Sequence, residues 1–166
     1  FKDKATTEIY TLSLHDALPI YKKKYGEEPH NDVAADLNNL ASTLDAQKKY
    51  AEAKPLFEEA LAMKKVVSGE DDPSTITARS WIAKTMRAQG DHEGALPILK
   101  KVVDDRKRVL GADHPQCAAA LNCYGNCLMA LGKIKEAKPL YQESVEIVRN
   151  AYGEGHPHVG GTMDLL

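Results

Sequence analysis

Tyr50-Ala51-Glu52-Ala53-Lys54-Pro55-Leu56-Phe57 returns 42 residues later as His92-Glu93-Gly94-Ala95-Leu96-Pro97-Ile98-Leu99, and again as Ile134-Lys135-Glu136-Ala137-Lys138-Pro139-Leu140-Tyr141. The alanine and the proline keep their places, and two apolar or aromatic residues follow the proline each time. Working outward, the same shift aligns Gly69, Gly111 and Gly153, and then Pro73, Pro115 and Pro157. Val67, Val109 and Ala151 fall together just before the glycines. No insertion is needed from about residue 31 to residue 157. Self-similarity at a fixed period is the signature of a repeat architecture. The repeat units are expected at 31–72, 73–114 and 115–156.

Each unit reads as two helices. Val33, Leu37, Leu40, Ala41 and Leu44 lie at i, i+4, i+7, i+8 and i+11, one stripe at about 100° per residue. A break follows at Gln47-Lys48-Lys49, Gln89-Gly90-Asp91 and Leu131-Gly132-Lys133, and glycine is at home where a helix ends left-handed. The second helix carries Ala53, Leu56, Phe57, Ala60, Leu61 and Val67. It does so again with Ala95, Ile98, Leu99, Val102 and Val103, and with Ala137, Leu140, Tyr141, Val145 and Val148. It stops at its glycine. Asp72-Pro73, His114-Pro115 and His156-Pro157 open the next unit, because a proline at the first helical position sacrifices no hydrogen bond. Pro55, Pro97 and Pro139 are expected in the first turn of the second helix or just beyond it, where their cost is smallest.

Composition excludes several functions. The chain has 166 residues, 43% of them hydrophobic, enough to bury a sizeable core. Its 22 basic and 24 acidic residues give a net charge of −2, against a general phosphate-backbone binder, so no nucleic acid is expected. No apolar run reaches the roughly 18 residues of a membrane span, and no secretory signal is visible. Cys117, Cys123 and Cys127 are an odd count in one short stretch, which fits free thiols in a reducing compartment, so the expected location is cytoplasmic. No catalytic constellation stands out: there is no Gly-rich phosphate loop, no His-Glu-x-x-His and no Gly-x-Ser-x-Gly. The chain is therefore not expected to be an enzyme, and no cofactor or metal is expected.

Leu37-Asn38-Asn39-Leu40-Ala41, Tyr50 through Phe57, and Ala60-Leu61 resemble the 42-residue tetratricopeptide variant of kinesin light chains and nephrocystin-like proteins. Leu121-Asn122 with Gly125, Ala137 through Tyr141, and the connector Leu110-Gly111-Ala112-Asp113-His114-Pro115 carry the same likeness. It covers residues 21 to 166 or so. It implies an all-α fold, an α-solenoid of helix-turn-helix repeats in a right-handed superhelix, with a concave groove lined by the first helices. No heptad segment for heavy-chain pairing is visible.

The ends depart from the period. Residues 6–20 resemble a translated sequencing-adapter read-through, and residues 1–20 are taken as a non-native or unstructured leader. Ala17-Leu18-Pro19-Ile20 does mimic Ala95-Leu96-Pro97-Ile98, but Ala17 precedes Gly26 by too few residues for a full second helix. Residues 21–30 then form the tail of a truncated preceding repeat, and 157–166 the start of a truncated fourth. Neither end looks like a polar cap, which suggests a piece of a longer array and end-to-end association as a possible consequence.

Function follows from the groove. About 120–140° from the core stripe lie Ala35, Asn38, Ser42 and Asp45, with Thr77, Ser80, Lys84 and Arg87 as equivalents in the second unit. In the third stand Ala119, Asn122, Asn126 and Met129. An asparagine amide both donates and accepts, so Asn38, Asn122 and Asn126 are suited to clamp the backbone of an extended peptide. Lys84 and Arg87 would favour an acidic group on that ligand. The groove set is Asn38, Ser42, Asp45, Ser80, Lys84, Arg87, Asn122 and Asn126. Polar residues also face such a groove simply because it is wet. For Lys84 and Arg87 solvation is the favoured account; for the asparagines both stand open. The four-base-plus-asparagine pattern of chaperone-tail carboxylate clamps is absent.

Other residues are read as structural. Cys123 and Cys127 lack third and fourth metal ligands and read as semi-buried thiols. The repeated His-Pro pairs read as caps or turns. Trp81 reads as packing between repeats, and Tyr50, Phe57, Tyr124 and Tyr141 as core. Arg79 stands where Leu37 and Leu121 stand in the other units, so it must snorkel to the surface or pair with an acid, and its helix is expected to be the loosest. The leading reading is a protein-interaction scaffold that binds a peptide in its groove. The alternatives are a structural spacer or self-association segment, or a regulatory array of a larger protein.

Overall fold

The computed structural model describes residues 28–153, so the expectations for residues 1–27 and 154–166 lie outside it. The described residues form six helices: α1 (Asn31–Ala46), α2 (Tyr50–Ser68), α3 (Pro73–Ala88), α4 (His92–Leu110), α5 (Pro115–Ala130) and α6 (Ile134–Tyr152). The odd-numbered helices have 16 residues each and the even-numbered 19, so the 42-residue period is reproduced without slippage. Two compact units divide between Glu70 and Asp71, the first holding α1 and α2 and the second α3 through α6.

Local chemistry sets the helix bounds. His30 and His114 accept the Asp32 and Gln116 backbone N–H groups at Nδ1, each at 3.2 Å, and Asp72 accepts that of Ser74 at 2.8 Å. The residue before each first helix is thus a side-chain N-cap that satisfies one of the orphan donors of the first turn. Each first helix then closes on the same pair of bonds. Lys48, Gly90 and Gly132 donate to Asp45, Arg87 and Met129, while Lys49, Asp91 and Lys133 donate to Leu44, Met86 and Leu128. This is the Schellman pattern, which needs a left-handed residue after the cap. Gly90 and Gly132 supply it freely, whereas Lys48 adopts φ 63° with a side chain attached.

The second helices end on a stricter requirement. Gly69, Gly111 and Gly153 have φ between 86° and 91° with ψ between 150° and 165°, backbone that only glycine adopts readily. Pro55, Pro97 and Pro139 are each the sixth residue of their helix, just beyond the first turn, so each removes one helical hydrogen bond. All three are exposed, which leaves the deserted carbonyl open to water.

In the first unit Ala34, Leu37 and Ala60 form the core, with Val33, Leu56 and Met63 packed against them. In the second unit Ile76, Val102 and Val103 join Cys117, Leu121 and Val148, so one core runs through both hairpins. Phe57 and Tyr141 are buried as expected, while Tyr50 and Tyr124 are only half-buried. Val67, expected on the apolar stripe, is 42% exposed. Gly125 lets Tyr141 in: a Cβ there would stand 2.8 Å from the ring. Its equivalents in the period are Ala41 and Ala83, and those of Tyr141 are Phe57 and Leu99.

Candidate functional site

Helix α3 carries Thr77, Ser80, Trp81, Lys84 and Arg87 along one side, since steps of three and four keep residues on one face. With Leu99, Val102 and Arg106 of α4, and Ala119, Ala120 and Cys123 of α5, they enclose a cavity of about 230 Å³. All three helices belong to the second unit. The charged groups lining the cavity among the described residues are Lys84, Arg87 and Arg106, beside the hydroxyls of Thr77 and Ser80 and the apolar Leu99, Val102 and Ala120. The Nε atoms of Arg87 and Arg106 are buried and meet no acceptor among the described residues. Arg106 is held by a 2.9 Å bond from Nη1 to the Gln116 carbonyl, and burial pulls its guanidinium pKa below the ordinary value. The Lys84 ammonium lies 4.5 Å from the centroid of the Trp81 ring, a cation–π contact.

Of the groove residues expected from the sequence, Ser80, Lys84 and Arg87 therefore meet in one cavity. Asn122 lines a second hollow with Pro115, Gln116, Ala118, Val148 and Tyr152. Asn126 is half-buried, and its Oδ1 accepts the Tyr141 hydroxyl at 2.7 Å, which takes up one of its two acceptor sites. In the first unit Asn38 and Ser42 are half-buried and Asp45 is buried at 9% exposure. The Asn38 Oδ1 is enclosed with no donor on it among the described residues.

Arg106 and Cys123 were not in the expected groove set, and Trp81 was assigned to packing. Trp81 does sit between repeats, yet it also walls the cavity. Arg106 escaped because it lies on a second helix, at the position of Lys64 and Val148. A basic residue replacing Val148 was the available signal.

The remaining candidates settle into the framework. Arg79 pairs with Asp105 in the core, at 5% exposure each. Lys101 and Arg108 reach the same carboxylate at 3.3 and 3.2 Å, and Arg108 also holds Asp71 at 2.5 Å, which keeps the Asp71 carboxyl below its ordinary pKa. Cys117 and Cys127 donate their S–H to the Gly111 and His92 carbonyls at 3.3 and 3.0 Å. Burial raises both thiols above the ordinary cysteine value, the opposite of what a reactive thiolate needs. Among the described residues no group of three His, Cys, Asp or Glu side chains is placed to hold a metal ion. No described helix is long and apolar enough to cross a membrane.

Helical hairpins repeated at a fixed period define an α-solenoid. The tetratricopeptide repeat model matches residues 33–74 and 75–116, and a second tetratricopeptide repeat model matches 116–166. The chain belongs to the tetratricopeptide repeat family, whose members generally mediate protein–protein interaction.

Solved structures agree on the fold. A singly substituted form of the nearly identical TPR-like repeats of a Podosopora anserina protein, described as a kinesin light chain, superposes with a TM-score of 0.80 at 22% identity. That match covers 98% of this chain and 74% of the other. A second structure of those repeats gives 0.72 at 22% identity, over 80% and 63% of the two chains. BtubC (BKLC) from P. vanneervenii gives 0.76 at 17% identity, over 98% and 63%. At such identities these likenesses bear on the fold alone. No curated protein gives a significant match.

Proposed function

We propose that this chain is a non-catalytic scaffold that binds an extended peptide, and that the cavity between α3, α4 and α5 takes an acidic group of that peptide beside an apolar side chain. The observation that carries the reading is on two of the cavity's arginines: the buried Nε atoms of Arg87 and Arg106 meet no acceptor among the described residues. A buried Nε that meets no acceptor among the described residues is costly, and a ligand carboxylate would relieve that cost with charge-assisted bonds. The apolar floor of Leu99, Val102 and Ala120 offers burial to a neighbouring aliphatic group. Asn38, Asn122 and Asn126 are the proposed partners for peptide backbone, with one acceptor site of Asn126 already taken by Tyr141. The repeat units are taken as 31–72, 73–114 and 115–156, and the setting as cytoplasmic, in keeping with three free cysteines.

A peptide-array screen tests this. The unaltered chain should capture peptides that combine acidic and apolar residues, and Lys84→Glu with Arg87→Glu should abolish that capture. Replacing Asn38, Asn122 and Asn126 by Ala together should weaken all captured peptides alike. Capture indifferent to both sets would exclude the cavity as the binding site.

A further inference from the structure

The two arginines that line the cavity stand at its opposite ends. Arg87 is the penultimate residue of α3, beside the turn into α4. Arg106 is four residues from the end of α4, which folds back from that turn, so Arg106 is level with the start of α3. Helix α5 gives the same order from its own side. Arg106 Nη1 donates to the Gln116 carbonyl in the first turn of α5, whereas the charge of Arg87 acts on the Cys127 thiol near its end. Gln116 and Cys127 are eleven residues apart, about 16 Å along the helix axis. Between the two ends, Leu99 and Val102 floor the cavity. Each end holds a buried Nε that meets no acceptor among the described residues. Of the three repeats only the second has a cation in both places. Asp45 and Lys64 stand there in the first, Met129 and Val148 in the third.

We propose that the cavity takes two acids of one extended peptide at once, one beside Arg106 and one beside Arg87, with an apolar side chain between them over Leu99 and Val102. This rests on the binding reading above and adds a spacing to it. An extended chain advances about 3.3 Å per residue and turns alternate side chains to the same side. Side chains at i, i+2 and i+4 therefore share one face, and the outer two stand about 13 Å apart. The reach of the arginine and acid side chains takes up the remainder. The ligand class is thus a segment of the pattern acid–x–apolar–x–acid. Acids two residues apart span about half that distance and serve one end only. A single acid leaves the other buried N–H unmet, at a cost that the second acid removes. At Arg106 the Nη1 side is held by Gln116, so a carboxylate would take the edge formed by Nε and Nη2.

Trp81 lines the cavity and is the sole tryptophan of the chain, so its emission follows occupancy without a label. The unaltered chain is titrated with four pentapeptides capped at both ends. Asp-Ser-Leu-Ser-Asp carries the proposed spacing. Ser-Asp-Leu-Asp-Ser is its isomer, with the same charge and the same apolar residue. Asn-Ser-Leu-Ser-Asp and Asp-Ser-Leu-Ser-Asn each lack one acid. The first peptide should bind about tenfold more tightly than the other three, the equivalent of one further charge-assisted contact. Arg106→Gln should bring it level with one of the single-acid peptides, and Arg87→Gln with the other. The isomer comparison needs no variant, so it holds even where a substitution disturbs the fold. Equal binding of the two isomers overturns the two-acid spacing, while capture of acidic and apolar peptides on the array upholds the binding reading by itself. One arginine variant that erases the effect of both acids alike also overturns the spacing. So does the absence of any response to the four peptides when the array still captures its own.

Discussion

The second and third repeats share one backbone plan and fill it with different chemistry. In the third, Leu121 and Ile147 join the same apolar cluster. In the second, the same two places hold Arg79 and Asp105, which form a buried ion pair. The third repeat offers Cys123, Asn126 and Met129 where the second offers Trp81, Lys84 and Arg87. The plan is held by caps, turns and small residues, so the interior and the lining are free to diverge. Charge enters the second repeat twice, once sealed inside the hairpin against an acid and once along a cavity lined by Lys84, Arg87 and Arg106.

The largest effect should come from erasing the difference in the interior. Asp105→Ile removes the carboxylate that Arg79, Lys101 and Arg108 share and should cost about 3–5 kcal/mol of unfolding free energy, while Arg79→Leu should cost less, because Lys101 and Arg108 still hold Asp105. The double variant restores the apolar pair of the third repeat. It should unfold at equal or higher denaturant concentration, by about 1–4 kcal/mol at most. Urea titrations of the three variants check this, and a double variant as weak as either single one would show that the pair does not act as a unit.

The next effect concerns the small residue opposite the second helix. Gly125→Ala copies the Ala83 of the second repeat but meets the Tyr141 ring, so overpacking should cost about 1–3 kcal/mol. Adding Tyr141→Leu, the Leu99 of the second repeat, should recover part of that loss in thermal unfolding.

The smallest effect is at the caps. His114→Ala removes the acceptor for Gln116 N–H and should cost about 1 kcal/mol, while His114→Asp, copying Asp72, should hold stability near the original. Thermal melts separate the two, and equal loss in both variants would deny the capping role.

The helices were legible because their punctuation is local. Gly69, Gly111 and Gly153 announce their backbone angles, and Pro73 and Pro115 announce helix starts. Side-chain partners were less so. A helical wheel placed Ser80, Lys84 and Arg87 on one face, and they do share a cavity. It could not show that Arg106 closes the cavity from another helix, or that Asn126 is engaged by Tyr141 fifteen residues on. The need for a partner at Arg79 was visible; its identity needed only one further comparison. Asp105 is the one acid in a column otherwise filled by Met63 and Ile147.

The glycine-ended helices carry a consequence for how such a chain can change. One residue inserted between Gly90 and Gly111 would rotate every later side chain of α4 by about 100°, taking Val102 and Val103 off the core and Arg106 off the cavity. Single-residue insertions are therefore barred inside the period, while duplication or loss of a whole 42-residue block leaves every contact in phase. Length is inherited in units, and only the lettering within each unit is free to drift.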